Sequence, residues 1–274
     1  MPPPLKQTIY HLIRDRLISG RLQPGSRVSE LALSKELGTS RTPVREAISQ
    51  LANDGLVEQV PNAGTFVRKP DRADLEDLYQ LREWLEPDAV AEAARRVTDE
   101  QLGAGAEACV EMRSVVRAFR DGGQRCLGGD LLYRQVVADF RFHMTLIQAS
   151  GNRRVLAVVA SQHVLSQVWG FLPERHTLQS LAKLYREHCQ ILRCVRRGDT
   201  EGAREGMRRH IALGREKVLA RYDWERRQAA AGVEPQWFWP PALHEAVHRM
   251  EQEQGGDGTA SPHLRIDGAD GAEW

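Results

Sequence analysis

The sequence predicts a mainly α fold in two parts, an N-terminal winged helix-turn-helix and a C-terminal all-α bundle of about six helices. Apolar residues recur with helical spacing through most of the 274 residues, and glycine-containing turns separate the segments. Strand-like runs are confined to residues 56–68, where a short turn joins them. We therefore expect a winged helix at 1–70, a helical domain at 71–228 and a C-terminal tail at 229–274.

Charge is distributed unevenly along the chain, although the formal net charge is only +1. Residues 1–70 carry ten Lys and Arg against six Asp and Glu, a net of +4, whereas residues 226–274 carry four against eight, a net of −4. A basic N-terminal part suits an anionic partner. The four cysteines lack C-x-x-C spacing, the start does not resemble a signal peptide, and no apolar run reaches the length of a membrane span. We therefore expect a reduced, cytoplasmic protein with no membrane partner.

The first predicted elements are two short helices joined by a Pro-Gly turn. The first helix has an apolar stripe formed by Leu5, Ile9, Leu12, Ile13 and Leu17. Ser29 caps the second helix, on which Leu33 and Leu37 face inward. Gly38 ends that helix and permits a tight turn into the next one.

The segment Ser40–Leu51 has the features of a helix that reads DNA. Thr42 can cap this helix, with Pro43 at the first helical position. One side is apolar and is formed by Val44, Ala47, Ile48 and Leu51. Arg41 and Arg45 point away from it, and a guanidinium group pairs with the edge of guanine or with phosphate. The alternative is an ordinary amphipathic surface helix with two solvated arginines. The short preceding helix and the glycine turn favour a helix-turn-helix.

A β-hairpin follows this helix. Leu56–Val60 and Thr65–Arg68 are the predicted strands, and residues 61–64 form the turn. Gly64 at the tip would let the backbone come close to a phosphate or to the minor groove. We interpret the hairpin as the wing of a winged helix.

Several motifs in the first 70 residues resemble, in order and spacing, the winged helix of GntR-family bacterial repressors. They are Leu22-Gln-Pro-Gly, Ser29-Glu30, Ser40-Arg-Thr-Pro-Val-Arg-Glu-Ala, Asp54-Gly55-Leu56-Val57 and Pro61-Asn-Ala-Gly-Thr-Phe-Val. The resemblance implies base contacts from Arg41 and Arg45, and contacts to the DNA backbone from Thr42, Gly64 and the helix N-terminus at Ser40. Leu31 stands where several members carry another DNA-contacting arginine, so we expect that contact to be absent.

Residues 71–225 have no strand pattern, and turns divide them into segments of helical length. The predicted helices span residues 72–97, 98–121, 130–149, 152–170, 177–197 and 199–228. A bundle of about six helices follows from this arrangement.

Four potential metal ligands lie on or beside the apolar stripes of these helices. Asp139 and His143 are one turn apart on the same predicted helix. His188 and His210 are equidistant from the turn at residue 199, so an antiparallel hairpin would place them opposite one another. One carboxylate and three imidazoles from three helices suit a first-row divalent metal. The alternative is four unrelated residues, each with its own local hydrogen bond.

This second half of the chain also resembles a known domain. Asp139-x3-His143 followed by Ala-Ser-Gly-Asn, with His188 and His210 beyond, is similar to the FCD effector domain of the FadR-like branch of GntR regulators. The resemblance covers most of residues 71–220. It implies a divalent transition metal at these four positions, Zn first and Ni or Mn as alternatives, with a small organic acid bound against the metal.

Arg82 has two interpretations. It matches an arginine that faces the pocket in several members of the family, where its fork would suit a carboxylate ligand. Alternatively, it pairs with Glu86, which lies one helical turn away. The sequence does not separate these alternatives.

We therefore predict a transcriptional regulator, and not an enzyme, that binds an inverted-repeat operator in double-stranded DNA as a homodimer. Release from DNA by a small organic acid, as for a repressor, is the expected response. A metal-dependent hydrolase is the main rival function, since an enzyme consumes its ligand whereas a sensor leaves it unchanged. A second rival rests on His244-Glu-Ala-Val-His248, which has zinc-protease spacing but no catalytic domain around it.

In the tail we expect Trp237, Phe238 and Trp239 to dock on the bundle or a partner subunit, and residues 254–274 to be disordered.

Overall fold

A computed structural model describes residues 5–18, 22, 24–123, 127, 129–170 and 176–230. Within these ranges the N-terminal part contains α1 (Leu5–Ile18), β1 (Arg27–Val28), α2 (Glu30–Glu36), α3 (Arg41–Asn53), β2 (Val57–Val60) and β3 (Gly64–Val67). The helical part contains α4 (Arg72–Arg96), α5 (Asp99–Asp121), α6 (Gly129–Ala149), α7 (Arg153–Gly170), α8 (Leu178–Arg196) and α9 (Thr200–Ala230). The predicted fold, a winged helix-turn-helix followed by an all-α bundle, is confirmed.

The winged helix is built around the apolar sides of its helices and one face of its sheet. The buried residues of this core include Ile9, Ile13, Val44, Ile48, Leu51 and Val67. The strands are antiparallel in the order β1-β3-β2, and Val60 pairs with Gly64 at the end of the hairpin. The sequence analysis missed β1 because a two-residue strand is too short to show alternation.

The start of α3 differs from the prediction. Ser40 is the N-cap residue and Arg41 is the first helical residue, so Thr42 does not cap the helix and Pro43 is not at its first position. Pro43 still lies in the first turn, where a backbone N–H has no partner within the helix. The error arose because Ser40 and Thr42 are both good N-cap residues and lie two positions apart. Both arginines therefore belong to the helix itself.

The bundle is centred on α4, which packs along α9 and also contacts α6 and α7. A capping box formed by Asp71 and Asp74 starts α4 shortly after the wing. α5 packs against α6 and α8, and α8 and α9 form a hairpin that turns at Gly198, where φ is +69°. None of the helices in the described part of the chain is both long and apolar enough to cross a membrane.

Among the described residues, the winged helix contacts the bundle through α4 and α7. Arg68, directly after β3, forms an ion pair with Asp74 in the first turn of α4. α1 packs on α7. Leu165 of α7 lies beside Gly55, since a Cβ atom built on Gly55 would be 3.9 Å from Cδ2 of Leu165. α4 and α7 therefore both contact the winged helix directly.

Part of the C-terminal tail lies outside the described residues, which end at Ala230. The predictions for Trp237, Phe238 and Trp239, for the His244–His248 motif and for residues 254–274 concern that part.

Candidate functional site

Four predicted metal ligands converge inside the bundle. α6 supplies Asp139 and His143, α8 supplies His188 and α9 supplies His210, and one ligand atom of each lies within 4.8 Å of the others. The rings of His188 and His210 meet in a T-shaped arrangement across the α8–α9 hairpin, with their centroids 4.5 Å apart. The hairpin register therefore brings the two together as predicted.

Each of the three histidines has a hydrogen-bond acceptor at Nδ1, on the side away from the cluster. The acceptors are Glu86 Oε2 for His143 at 2.7 Å, the Leu184 carbonyl for His188 at 2.8 Å and Glu187 Oε2 for His210 at 3.2 Å. An acceptor at Nδ1 keeps the proton of a neutral imidazole there and leaves a lone pair on Nε2. Metal-binding histidines usually show this arrangement.

Ring nitrogens and a carboxylate oxygen form the inner side of the cluster. Nε2 of His143 lies 3.3 Å from Nε2 of His210. Nε2 of His188 is buried without a hydrogen bond to the described residues, although Oδ1 of Asp139 is 3.2 Å away. Lone pairs this close repel one another unless a proton or a cation lies between them. Three imidazole nitrogens and one carboxylate oxygen fit a divalent transition metal such as zinc.

The ionisation of these groups also suits metal binding. Burial lowers the pKa of His143 to about 4, and burial together with the charge of His188 lowers the pKa of His210 to about 4. Burial opposes ionisation of Asp139, but the surrounding histidines outweigh it and lower the pKa of this carboxyl group. Burial opposes protonation of His188, but the hydrogen bond to Asp139 and the charge of Asp139 outweigh it and raise the pKa of this histidine. Near neutral pH the metal-free cluster therefore offers neutral His143 and His210 and an ionised carboxylate, and a metal would have to displace the proton that Asp139 favours on His188.

Arg82 is ion-paired with Glu86, as in the second of its two interpretations. Its Nε donates to Oε1 of Glu86 at 2.6 Å, and its guanidinium carbon lies 5.3 Å from the centre of the Tyr79 ring. Its two terminal nitrogens form no hydrogen bond with the described residues. Glu86 therefore holds the guanidinium group but does not use all of its donors.

The sequence analysis missed His163 and gave Glu86 no role beyond pairing with Arg82. Nε2 of His163, on α7, lies 3.1 Å from Oε1 of Glu86, and both side chains are buried. A signal was present: His163 continues a stripe with Val155 and Val159 at intervals of four, as His188 does on its own helix. The contact with Glu86 requires the packing of α4 on α7 and is not visible in the sequence.

The predicted DNA-contacting residues lie at the surface of the winged helix. Ser40, Arg41, Thr42 and Arg45 are exposed at and after the start of α3, and Gly64 is at the wing. Nη2 of Arg45 lies 3.2 Å from Oε2 of Glu30 on α2, so the guanidinium group is held at the surface. Thr42 and Arg45 also line a shallow groove together with Lys6, Glu46, Ser49, Gln50 and Asn53.

An exposed basic helix with a wing, joined to a helical domain with a buried carboxylate–histidine cluster, defines a class of DNA-binding regulator. Residues 5–67 match the model of the bacterial regulatory proteins of the gntR family, and residues 77–213 match the FCD domain. The chain belongs to the GntR family and carries an FCD domain.

Similar proteins support this membership. An uncharacterized HTH-type transcriptional regulator in an unstable DNA locus of Streptomyces ambofaciens is 32% identical over 213 residues, which cover 75% of this chain and 81% of that protein. The Nta operon transcriptional regulator of Aminobacter aminovorans is 33% identical over 147 residues, covering 53% and 63%. The solved structure of E. coli McbR/YncC shares the fold with a TM-score of 0.63 and 20% identity, covering 80% of this chain and 99% of that one.

The family and its relatives are transcriptional regulators, so the prediction of a regulator that is not an enzyme is confirmed. The hydrolase and protease alternatives find no support in this membership. The protein is a transcriptional regulator of the GntR type with an FCD domain.

Proposed function

We propose that this regulator is a metal-containing repressor that responds to a small organic acid and binds an inverted-repeat operator as a homodimer. The observation that carries the proposal is the convergence of Asp139 with three histidines whose Nδ1 atoms are all engaged on the outside. In this proposal residues 1–70 bind DNA and residues 71–228 bind metal and effector.

The metal would be held by Asp139, His143, His188 and His210, with zinc preferred and nickel or manganese as alternatives. A bound divalent cation supplies a positive centre that attracts a carboxylate. The side chain of Asp139 is 23% exposed, whereas His143 and His188 are fully buried. The approach of a ligand from the Asp139 side is therefore the least obstructed.

The effector would be a small organic acid. Arg82 is fixed through Nε by Glu86, which leaves both terminal nitrogens to bind a carboxylate. It lies on the same buried network as His143, because Glu86 contacts both residues. The ion pair therefore orients Arg82 for a ligand and does not compete with that role.

On the DNA side, Arg41 and Arg45 would read bases, and Ser40, Thr42 and Gly64 would contact the backbone. The exposed N-terminus of α3 favours phosphate, because its free N–H groups point outward. Two such helices in a homodimer would read the two halves of an inverted repeat.

The effect of effector binding would be transmitted to the DNA-binding part through α4 and α7. α4 carries Arg82 and Glu86 and begins five residues after β3, and α7 carries His163 and packs on α1. A ligand shifts operator affinity only through different affinities for the two conformations of the regulator. Equal operator affinity with and without a saturating carboxylate would contradict this part of the proposal.

The test begins with the metal content of protein purified without an affinity tag. We expect one equivalent of metal in the wild type and none in Asp139→Ala or His188→Ala. Asp88→Ala serves as the control, since Asp88 is an exposed carboxylate paired with Arg204 on the outside of the bundle. Small carboxylates are then screened by thermal shift, and binders are tested for release of operator DNA. Absence of metal after reconstitution with Zn, Ni and Mn would refute the metal part.

A further inference from the structure

A fully buried carboxylate connects three helices beside the candidate metal ligands. Glu86 on α4 is 0% exposed, and no predicted metal ligand is on this helix. It contacts Arg82 on its own helix at 2.6 Å, His143 on α6 at 2.7 Å and His163 on α7 at 3.1 Å. A buried carboxylate is costly unless it is paired and hydrogen-bonded, so this arrangement needs an explanation.

The two oxygens of Glu86 have different partners. Oε1 accepts from Arg82 and lies against His163, which holds the carboxylate in place, whereas Oε2 faces Nδ1 of His143. Because Oε2 accepts a hydrogen bond from Nδ1–H, Nε2 of His143 keeps its lone pair and points at the other three ligand atoms. The orientation of the imidazole is thus set by a group on another helix.

We propose that Glu86 is a positioning residue that fixes the tautomer and the ring orientation of His143 for metal binding, with Arg82 and His163 holding its carboxylate. The inference rests on the proposed metal site and concerns a residue that is not itself a ligand of that metal. Outer acceptors of this kind orient metal-binding histidines and raise their basicity.

A second cation site at Glu86, His143 and His163 is the competing explanation, because one ligand atom of each lies within 4.8 Å of the others. The guanidinium group of Arg82 already occupies one side of Glu86, and its positive charge opposes a further cation at this distance. His143 would also have to supply both ring nitrogens to metals. The geometry therefore favours an outer acceptor over a second metal.

The three outer acceptors are not equivalent. His188 relies on the backbone carbonyl of Leu184, which no side-chain substitution removes, and His210 relies on Glu187, which is 21% exposed and 3.2 Å away. The carboxylate of Glu86 is fully buried, and its distance to His143 is shorter than that of Glu187 to His210. Loss of Glu86 is therefore expected to weaken metal binding more than loss of Glu187.

The experiment is a titration of metal-free full-length protein with Co2+, followed by its visible absorption spectrum. Glu86→Asp keeps the charge that Arg82 requires but is one methylene too short to reach His143. We expect about 10- to 100-fold weaker Co2+ binding in this variant and a changed spectrum, because the geometry of the site is altered. Glu187→Gln should have a smaller effect. Glu83→Asp is the matched control, since Glu83 is also on α4 but pairs with Arg215 outside the cluster.

A second variant separates positioning from folding. Arg82→Met combined with Glu86→Met removes the buried ion pair as a whole, which proteins commonly tolerate, and removes the acceptor as well. This double variant should also bind Co2+ about 10- to 100-fold more weakly. In addition, nitrogen NMR of the wild-type imidazoles should show the proton of His143 on Nδ1, a readout that needs no variant.

The outcomes distinguish the two proposals. Wild-type affinity and an unchanged spectrum in Glu86→Asp and the double variant, or an His143 proton on Nε2, would overturn the positioning role and leave the metal site intact. A wild-type protein that binds no Co2+, Zn, Ni or Mn would overturn the metal part of the proposed function, and the positioning role with it. Weaker binding confined to the Glu86 and Glu187 variants would support both.

Discussion

The candidate DNA-contacting residues and the candidate metal cluster are built in opposite ways. Arg45 is 64% exposed and is presented by a single helix, whereas Glu86 and His143 are fully buried and come from different helices. A surface site of the first kind can change without affecting the core. A buried site of the second kind is part of the core, so substitutions there alter stability as well as binding.

The largest expected difference concerns two ion pairs with the same spacing on α4. Glu86→Gln leaves Arg82 buried without a counter-charge and should lower the free energy of unfolding by about 3–5 kcal/mol. Glu76→Gln breaks the exposed pair with Arg72. The free energy of unfolding of this variant should equal that of the wild type within experimental error. Urea unfolding of both metal-free variants measures the difference, and equal effects would contradict the contrast between buried and exposed sites.

The next effect is a pH dependence that arises in the buried cluster. His143 and His210 have a pKa of about 4 when folded and 6.5 as ordinary histidines, so the unfolded chain binds more protons between these values. Metal-free protein should therefore lose stability as the pH falls from about 6.5 to 4, on the order of 2 kcal/mol per histidine at pH 5.

The raised pKa of His188 acts in the opposite direction and offsets part of this loss. Urea unfolding at several pH values measures how steeply the free energy of unfolding depends on pH, and His210→Gln should reduce this dependence. A free energy of unfolding that does not change between pH 6.5 and 4.5 would contradict the burial of neutral His143 and His210.

Arg45→Ala tests the exposed site. It should weaken binding to an operator selected from random DNA about 5- to 150-fold, equivalent to about 1–3 kcal/mol, and leave unfolding unchanged. Arg95→Ala is the control, since Arg95 is similarly exposed and paired with Glu92 but lies in the bundle. Retention of wild-type operator affinity by Arg45→Ala would contradict the assignment of α3 as the reading helix.

The smallest expected effect compares two glycines, one in each part. Gly64 has φ +118°, and a Cβ atom there would lie 3.1 Å from Nε of Arg27. Gly64→Ala should therefore destabilise the protein by about 1 kcal/mol and weaken DNA binding. Gly103→Ala, in α5 with open space around it, should stabilise by about 0.5–1 kcal/mol. Thermal unfolding gives both values, and effects of the same sign would refute the comparison.

The sequence by itself determined the helices, the wing and the membership of the converging cluster. Helical stripes depend on neighbouring residues, and the hairpin register of His188 and His210 follows from counting about a single turn. Dependence on neighbouring residues also explains two errors of the sequence analysis. β1 has too few residues for a pattern, and two cap-forming residues near the start of α3 gave the wrong first residue.

Only the tertiary structure decided what surrounds the cluster. Glu86 is 57 residues from His143 and 77 from His163, and these contacts exist because α4, α6 and α7 pack together. The structure also shows that Arg82 pairs with Glu86, whereas its role toward a ligand stays a proposal. Local patterns record which face of a helix is apolar, whereas the partner of a buried polar group depends on where distant helices meet.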